Sequence, residues 1–523
     1  MNKLKGKKVI ACIFACIMTM SIFVACTKGV DISEATTGNI KVTVVDKGYD
    51  TEWLYALKDV YEQKYKDCTV EIVVTSDSSA VASKIRSNAN DSDLVITAGA
   101  LSAFHSEQND GYLLELTDVY ETVQEGYDVP AKDRMNKSVR SYYETDEGKF
   151  YQIPWVLGYS GLLYNKSVID EALGDSYTLP RTTNELYEFC ADLKEAGVTP
   201  FALSTAVSYW NYLMVPLYYQ YVGSESYDKF NEGYFLQDGT WTKASESNFA
   251  DYLNSQIGVK KAAEVVYNLL SDEGEGTGDF GIDTAQDLSF QQAQELFCGS
   301  SVNGKKIKCA FLFSGDWFGN EMKSTIERNN ADIRFMRMPV LSSITETLEK
   351  EIDETTLRKV VDAIDAGEIS YAGMSANDFA RIKTARFSAC SPSTGHAMAI
   401  PKMKNGTRKY ALTKQFLNFI LSKDGQEMFT YTLNGITMPF GYTAEGVYGA
   451  YADSLYYAMG DATQFNAISE GHNSPLFFIA GLDIVGGYYE GYVYDSDMTP
   501  AEYYNNRLRV CNQQASRIIP LIR

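Results

Sequence analysis

The sequence predicts an α/β protein with parallel sheet and more than one folded unit, and three observations carry that prediction. β-Branched runs alternate with helix-periodic segments along the first hundred residues, an order that gives parallel strands joined by right-handed crossovers. The strand runs are apolar on both faces, as strands buried between two helix layers are. The length of 523 residues exceeds the roughly 100–200 residues of one domain.

Residues 40–45 read as the first strand. Residues 52–65 follow as a helix, with Trp53, Leu57, Tyr61 and Tyr65 at helical spacing. Residues 69–75 and 93–97 are the next strands, with a helix over 79–88 between them. Residues 151–164 are extended and aromatic. Thr182 with Glu185 three positions later predicts a capping-box helix start, and Gly197 stops that helix. Residues 308–313 are a strand running into Ser314-Gly315-Asp316-Trp317, and 333–339 another. Residues 342–394 are charged and partly helical and read as an insertion. Residues 397–401 are strand-like, and 409–422 form a helix with Leu412, Phe416, Phe419 and Ile420 on one face. Thr499-Pro500-Ala501-Glu502 combines a cap, a proline at the first helical position and a capping-box acid, so a final helix follows.

Residues 1–25 are an address rather than part of the fold. Lys3, Lys5, Lys7 and Lys8 precede an almost wholly apolar run that ends in Phe23-Val24-Ala25-Cys26, the layout of a signal peptide. A small residue before a cysteine at the end of such a run predicts lipid attachment at Cys26, with residues 26–37 as anchor and tether. The formal net charge is −21, and −25 without the leader. That sign disfavours nucleic acid and anionic lipid headgroups as partners. Six cysteines remain beyond Cys26, none in C-x-x-C spacing. Cys298 and Cys309 flank an Asn303-Gly304 turn and are candidates to pair.

Catalytic signatures are absent. The three histidines, His105, His396 and His472, show no metal-binding spacing, and neither a G-x-S-x-G elbow nor a phosphate-binding loop occurs. No cofactor and no metal is expected. Asp495-Ser496-Asp497 begins like a calcium loop, but Pro500 stands where the loop needs glycine. With 68 acidic residues, composition alone is compatible with a carboxylate pair for glycoside hydrolysis.

Aromatic clusters carry more information. Gly48-Tyr49, Pro154-Trp155 with Tyr159, Tyr209-Trp210-Asn211 and Asp316-Trp317 all fall at strand ends or in loops. Ligands of open α/β sheets bind beyond the carboxyl ends of strands. A sugar ring offers a face of C–H groups to an aromatic ring and an edge of hydroxyls to carboxylates and amides. Each ring, taken singly, would serve a core almost as well.

In their common order these stretches resemble the extracellular solute-binding proteins of carbohydrate ABC importers, family 1, the family of maltose-binding protein. The residues carrying the likeness are Phe23–Cys26, 93–97, Ile153-Pro154-Trp155 with Leu163-Tyr164-Asn165-Lys166, Leu179-Pro180 with Thr182 and Glu185, Gly315-Asp316-Trp317, and 396–401 leading to Phe416, Phe419 and Gln426. The resemblance implies a two-lobed periplasmic-binding-protein-like fold, each lobe a mostly parallel sheet flanked by helices, joined by a hinge of crossing strands near Pro154, 334–339 and 435–439. Lobe one would be 38–153 plus 335–433, and lobe two 154–334 plus 434–523. It implies a monomer that performs no chemistry, is held outside the cytoplasm by its lipid, and hands a sugar or oligosaccharide to permease subunits served by a separate ATPase. Carried over by position, the ligand-binding residues would be Asp46, Tyr49 and Gly99 on lobe one, and Trp155, Tyr159, Trp210, Asp316 and Trp317 on lobe two. The sequence departs from the family at 342–394 and at Thr97-Ala98-Gly99-Ala100, where relatives carry a polar or acidic group. Alternative readings are a receptor for a peptide or polyamine and a surface glycoside hydrolase.

Overall fold

The computed structural model describes residues 37–99, 111–205, 209–273, 278–402, 409–444, 448–460, 464–469 and 489–522. The leader, Cys26 and nearly all of the tether lie outside the described residues, as do His105 and His472. Two sheets carry the fold. Their strands are, in chain order, β1 (Gly38–Val45), β2 (Cys68–Thr75), β3 (Leu94–Ala98), β4 (Ile153–Pro154), β5 (Ser160–Asn165), β6 (Thr199–Phe201), β7 (Cys309–Gly315), β8 (Ile333–Phe335), β9 (Ser388–Cys390), β10 (His396–Ala399) and β11 (Asn466–Ile468).

The first sheet has the order β2-β1-β3-β10-β4. β1 pairs in parallel with β2 over their full length and with β3 from Val42 to Val44. Val42 and Val44 are buried, and the helices Glu52–Lys64 and Ser78–Arg86 connect the strands. The second sheet has the order β11-β9-β5-β7-β6, with β8 also on β5. β5 and β7 are buried along their whole length. The chain is thus a two-lobed α/β protein.

Both sheets are mixed, for a topological reason. The βαβ strands run towards the interlobe boundary, so β3 ends at Ala98 and β7 at Gly315. β10 and β5 begin at that boundary because the chain has just crossed it, and they run away from it: His396 pairs with Ala98, and Ser160 with Gly315, antiparallel.

The crossings differ in one place from the expected hinge. The first runs through 155–159, between β4 and β5, and the third through 435–440. The second runs through 391–395, between β9 and β10, not through 334–339. Ser388–Cys390 pairs with β11 and β5 and so belongs to the second sheet. Residues 340–387 are an outgrowth of the second lobe with a small core of their own, including Val340, Leu357, Val361, Phe379 and Ile382. Asp365 anchors this outgrowth between Arg337 (2.6 Å) and Arg386 (2.7 Å). Burial alone would push the Asp365 carboxyl up, but the two guanidiniums outweigh it and hold the group below its ordinary value.

Local signals appear where expected. Thr182 Oγ1 accepts from the Glu185 N–H and caps the helix Thr183–Glu195, although the Glu185 carboxylate takes the Arg181 N–H instead of closing the box. Thr499 and Glu502 form a complete capping box on the helix Pro500–Gln513. Cys298 and Cys309 do not pair. Both are free and buried, and burial pushes each thiol up to about 12.

Removing the Asp365 carboxylate would leave two buried guanidiniums uncompensated. Asp365→Ala should lower the unfolding free energy by about 3–5 kcal/mol, read by urea denaturation. A loss below about 1 kcal/mol, the value of an exposed pair, would show that water compensates the arginines.

Candidate functional site

The site is assembled from the ends of strands that meet at the interlobe boundary. β1 leads into a tight loop in which Tyr49 is almost fully buried. β7 leads directly into Asp316 and Trp317. The first crossing carries Trp155, and β10 opens on His396.

Tyr49 is the centre of this group. Its ring lies edge-on to Trp155 (5.3 Å between centroids), Trp317 (6.0 Å) and His396 (5.5 Å). Its hydroxyl donates to Asp316 Oδ1 at 2.5 Å, across 267 residues of chain and from one lobe to the other. Two further bonds join the lobes here. Asn320 Nδ2 donates to the Gly48 carbonyl (3.1 Å) and to Asp50 Oδ2 (3.3 Å).

Each wall is held from behind. Trp155 stacks on Trp53 (5.0 Å, 18°), and its Nε1 donates to the Thr97 carbonyl. Trp317 covers Gly315, where a Cβ would lie 2.0 Å from the indole, and meets Tyr209 and Tyr212 edge-on. Tyr451 fixes the turn after β7: its hydroxyl donates to the Asp316 carbonyl and accepts the Gly319 N–H, both at 2.9 Å.

Electrostatics follow from burial. Burial pushes the Asp316 carboxyl up to about 7, against the lowering effect of the Tyr49 hydrogen bond. Burial, and then the Asp316 charge, push the Tyr49 phenol well above its ordinary value. Burial pulls the His396 imidazole down to about 4, so the ring is neutral at pH 7. Its Nδ1 bonds the Pro392 carbonyl, which leaves Nε2 as the acceptor edge. Among the described residues no group of three or more His, Cys, Asp or Glu side chains is placed to hold a metal ion.

Of the eight expected site residues, the structure brings Tyr49, Trp155, Asp316 and Trp317 together. Asp46 and Gly99 are exposed at the ends of β1 and β3, flanking the boundary. Gly99 adopts φ +86° and donates its N–H to the Gly395 carbonyl. Tyr159 and Trp210 face inward. The Tyr159 hydroxyl donates to the Met336 carbonyl and its ring meets Phe335 and Phe465. The Trp210 indole packs on Phe201 and Phe313. Both rings are buried in the packing of the second lobe and lie apart from the group around Tyr49. Asn320, Tyr451 and His396 were not foreseen, because nothing in their local sequence distinguishes them from surface or strand residues.

The profile of the bacterial extracellular solute-binding proteins matches residues 39–332, more than half of the chain. The chain belongs to that family. No curated protein matches the sequence. Several solved structures share the fold. The GacH receptor of Streptomyces glaucescens, solved unliganded and with acarbose, is 15% identical, with a TM-score of 0.55 over 92% of this chain and 99% of that one. RafE in complex with raffinose is 13% identical, with a TM-score of 0.53 over 93% and 100%. A chitin oligosaccharide binding protein is 13% identical, with a TM-score of 0.55 over 92% and 100%. The likeness extends over the C-terminal part that the profile does not reach. Among the described residues no helix is long and apolar enough to cross a membrane.

The Asp316 carboxyl makes stability depend on pH with a definite sign. An unfolded aspartate titrates near 3.9 and the folded group at about 7, so between these values the native state holds the extra proton. Stability should therefore fall as pH rises from about 4 to 7. Asp316→Asn should remove that part of the slope in melting temperature measured across the range. An unchanged slope would place the titration elsewhere.

Proposed function

We propose that this solute-binding protein captures a sugar, and preferably an oligosaccharide, between its lobes and delivers it unaltered to the permease of an ABC importer. The observation that carries the reading is the pairing of aromatic walls with a buried acceptor: Trp155 and Trp317 stand about the Asp316 carboxyl at the lobe boundary. Indole faces cover the C–H face of a sugar, and a carboxylate accepts from its hydroxyls. The names of the structural neighbours, which include raffinose, acarbose and chitin oligosaccharide, support the same chemistry. Lobe one then comprises 38–153 with 396–433, and lobe two 160–390 with the segments after 440. The lobes close on the ligand only to the extent that ligand binds the closed form better. The leader and Cys26 support lipid anchoring on the outer face of the membrane, next to the permease and its ATPase.

Calorimetric titration with raffinose, acarbose and chitin oligosaccharides, followed by recovery of the sugar, tests the proposal. One-to-one binding with intact sugar is expected. Cleaved product would move the protein to the glycoside hydrolases, and silence across the panel would favour a peptide or polyamine. For a sugar that binds, Trp317→Ala should weaken binding by about 2–4 kcal/mol. A loss of less than about tenfold would remove Trp317 from the site.

A further inference from the structure

Tyr49 stands where a ligand ring would be expected. Its ring is edge-on to two tryptophans and a histidine, is 1% exposed, and sends its hydroxyl to the buried carboxylate. Aromatic surroundings with a buried acceptor are what the preceding reading assigns to the sugar. Here a side chain of the protein itself meets both demands.

The loop bearing Tyr49 is shaped to deliver it. Gly48 and Asp50, on either side, both take left-handed conformations, φ +56° and +51°. Glycine adopts this region freely, whereas an aspartate there needs local compensation. Asp50 obtains it through the Glu52 N–H, which its Oδ1 accepts at 2.7 Å, while its Oδ2 receives Asn320 from the other lobe. Gly48 also lies against Trp317, where a Cβ would come within 3.2 Å of the side chain. Every named bond between the loop and the second lobe therefore falls within three consecutive residues.

Between the lobes the buried Asp316 carboxyl takes backbone hydrogen bonds and one side-chain donor, the Tyr49 hydroxyl, which offsets part of the cost of its burial. We propose that Tyr49 is an internal plug, which closes the ligand-free lobes by occupying the ligand's place between Trp155, Trp317 and Asp316 and which an incoming ligand must displace. The inference rests on the cleft being the ligand site. It predicts that the plugged, closed fraction of empty receptor is withdrawn from binding and lowers the apparent affinity by that fraction.

Spin labels at Asp59→Cys on lobe one and Gln291→Cys on lobe two, both exposed positions, report the interlobe distance in the full chain with no sugar added. The wild-type background should show a closed population. Tyr49→Phe, which keeps the ring and removes the donor, and Tyr49→Ala, which removes both, should lose it, with Tyr49→Phe retaining native circular dichroism. For a sugar from the panel, Tyr49→Ala should tighten the apparent Kd about threefold or more. Distances in both variants indistinguishable from wild type, or an unchanged or weaker affinity in Tyr49→Ala, overturn the plug. If no sugar binds, the capture reading fails, and the distances, recorded without sugar, still decide whether Tyr49 holds the lobes together.

Discussion

Leu157 holds the three interlobe crossings together through its backbone. Its N–H donates to the Thr437 carbonyl on the third crossing at 2.8 Å, and its carbonyl accepts from Ser391 Oγ on the second. The next residue, Gly158, has φ +63°, and a Cβ there would come within 2.3 Å of the Pro392 ring. The crossings can run side by side because position 158 carries no side chain. Hydrogen bonds between them satisfy polar backbone that would otherwise be buried unpaired.

The site follows from that junction. The first crossing leaves the first sheet beside Trp155 and enters the second at Ser160, which pairs with Gly315. The strand launched from the hinge therefore lies beside the end of β7, and Asp316 and Trp317 follow at once. The second crossing likewise starts β10 at His396, opposite Ala98. Strands aimed at the boundary and strands launched from it bring their loops to one place, in line with the tendency of α/β sheets to bind ligands beyond their strand ends. A carboxylate buried there has to be paired, and the structure shows the pairing made across the lobes by Tyr49.

The outgrowth at 340–387 is joined to the second lobe by a different means. Gln220, from the helix Asn211–Val222, accepts the Leu341 N–H and donates to the carbonyls of Pro339 and Ala385, and Arg381 returns to the Tyr221 carbonyl. With Asp365 between Arg337 and Arg386, the attachment is polar and specific in geometry, while the small apolar core lies within the outgrowth itself. The β9 strand after it joins the second sheet between β11 and β5, so the outgrowth belongs to lobe two and the second crossing follows it.

The sequence by itself determined what depends on near neighbours: the first three strands and their helices, the caps at Thr182 and Thr499, and the strand running into Asp316-Trp317. These signals reside in periodicity and capping over a few residues. The tertiary structure alone decided which aromatics stand at the boundary. Trp155 and Trp210 both belong to aromatic clusters at strand ends or in loops, yet one meets Tyr49 and the other Phe201 and Phe313. It also moved the second crossing to 391–395, because strand membership of Ser388–Cys390 depends on partners at 160 and 466–468. The Tyr49–Asp316 bond, Asn320 and Tyr451 escaped prediction for the same reason: a hydrogen bond between residues hundreds of positions apart leaves no local pattern, and only the packed lobes bring its two ends together.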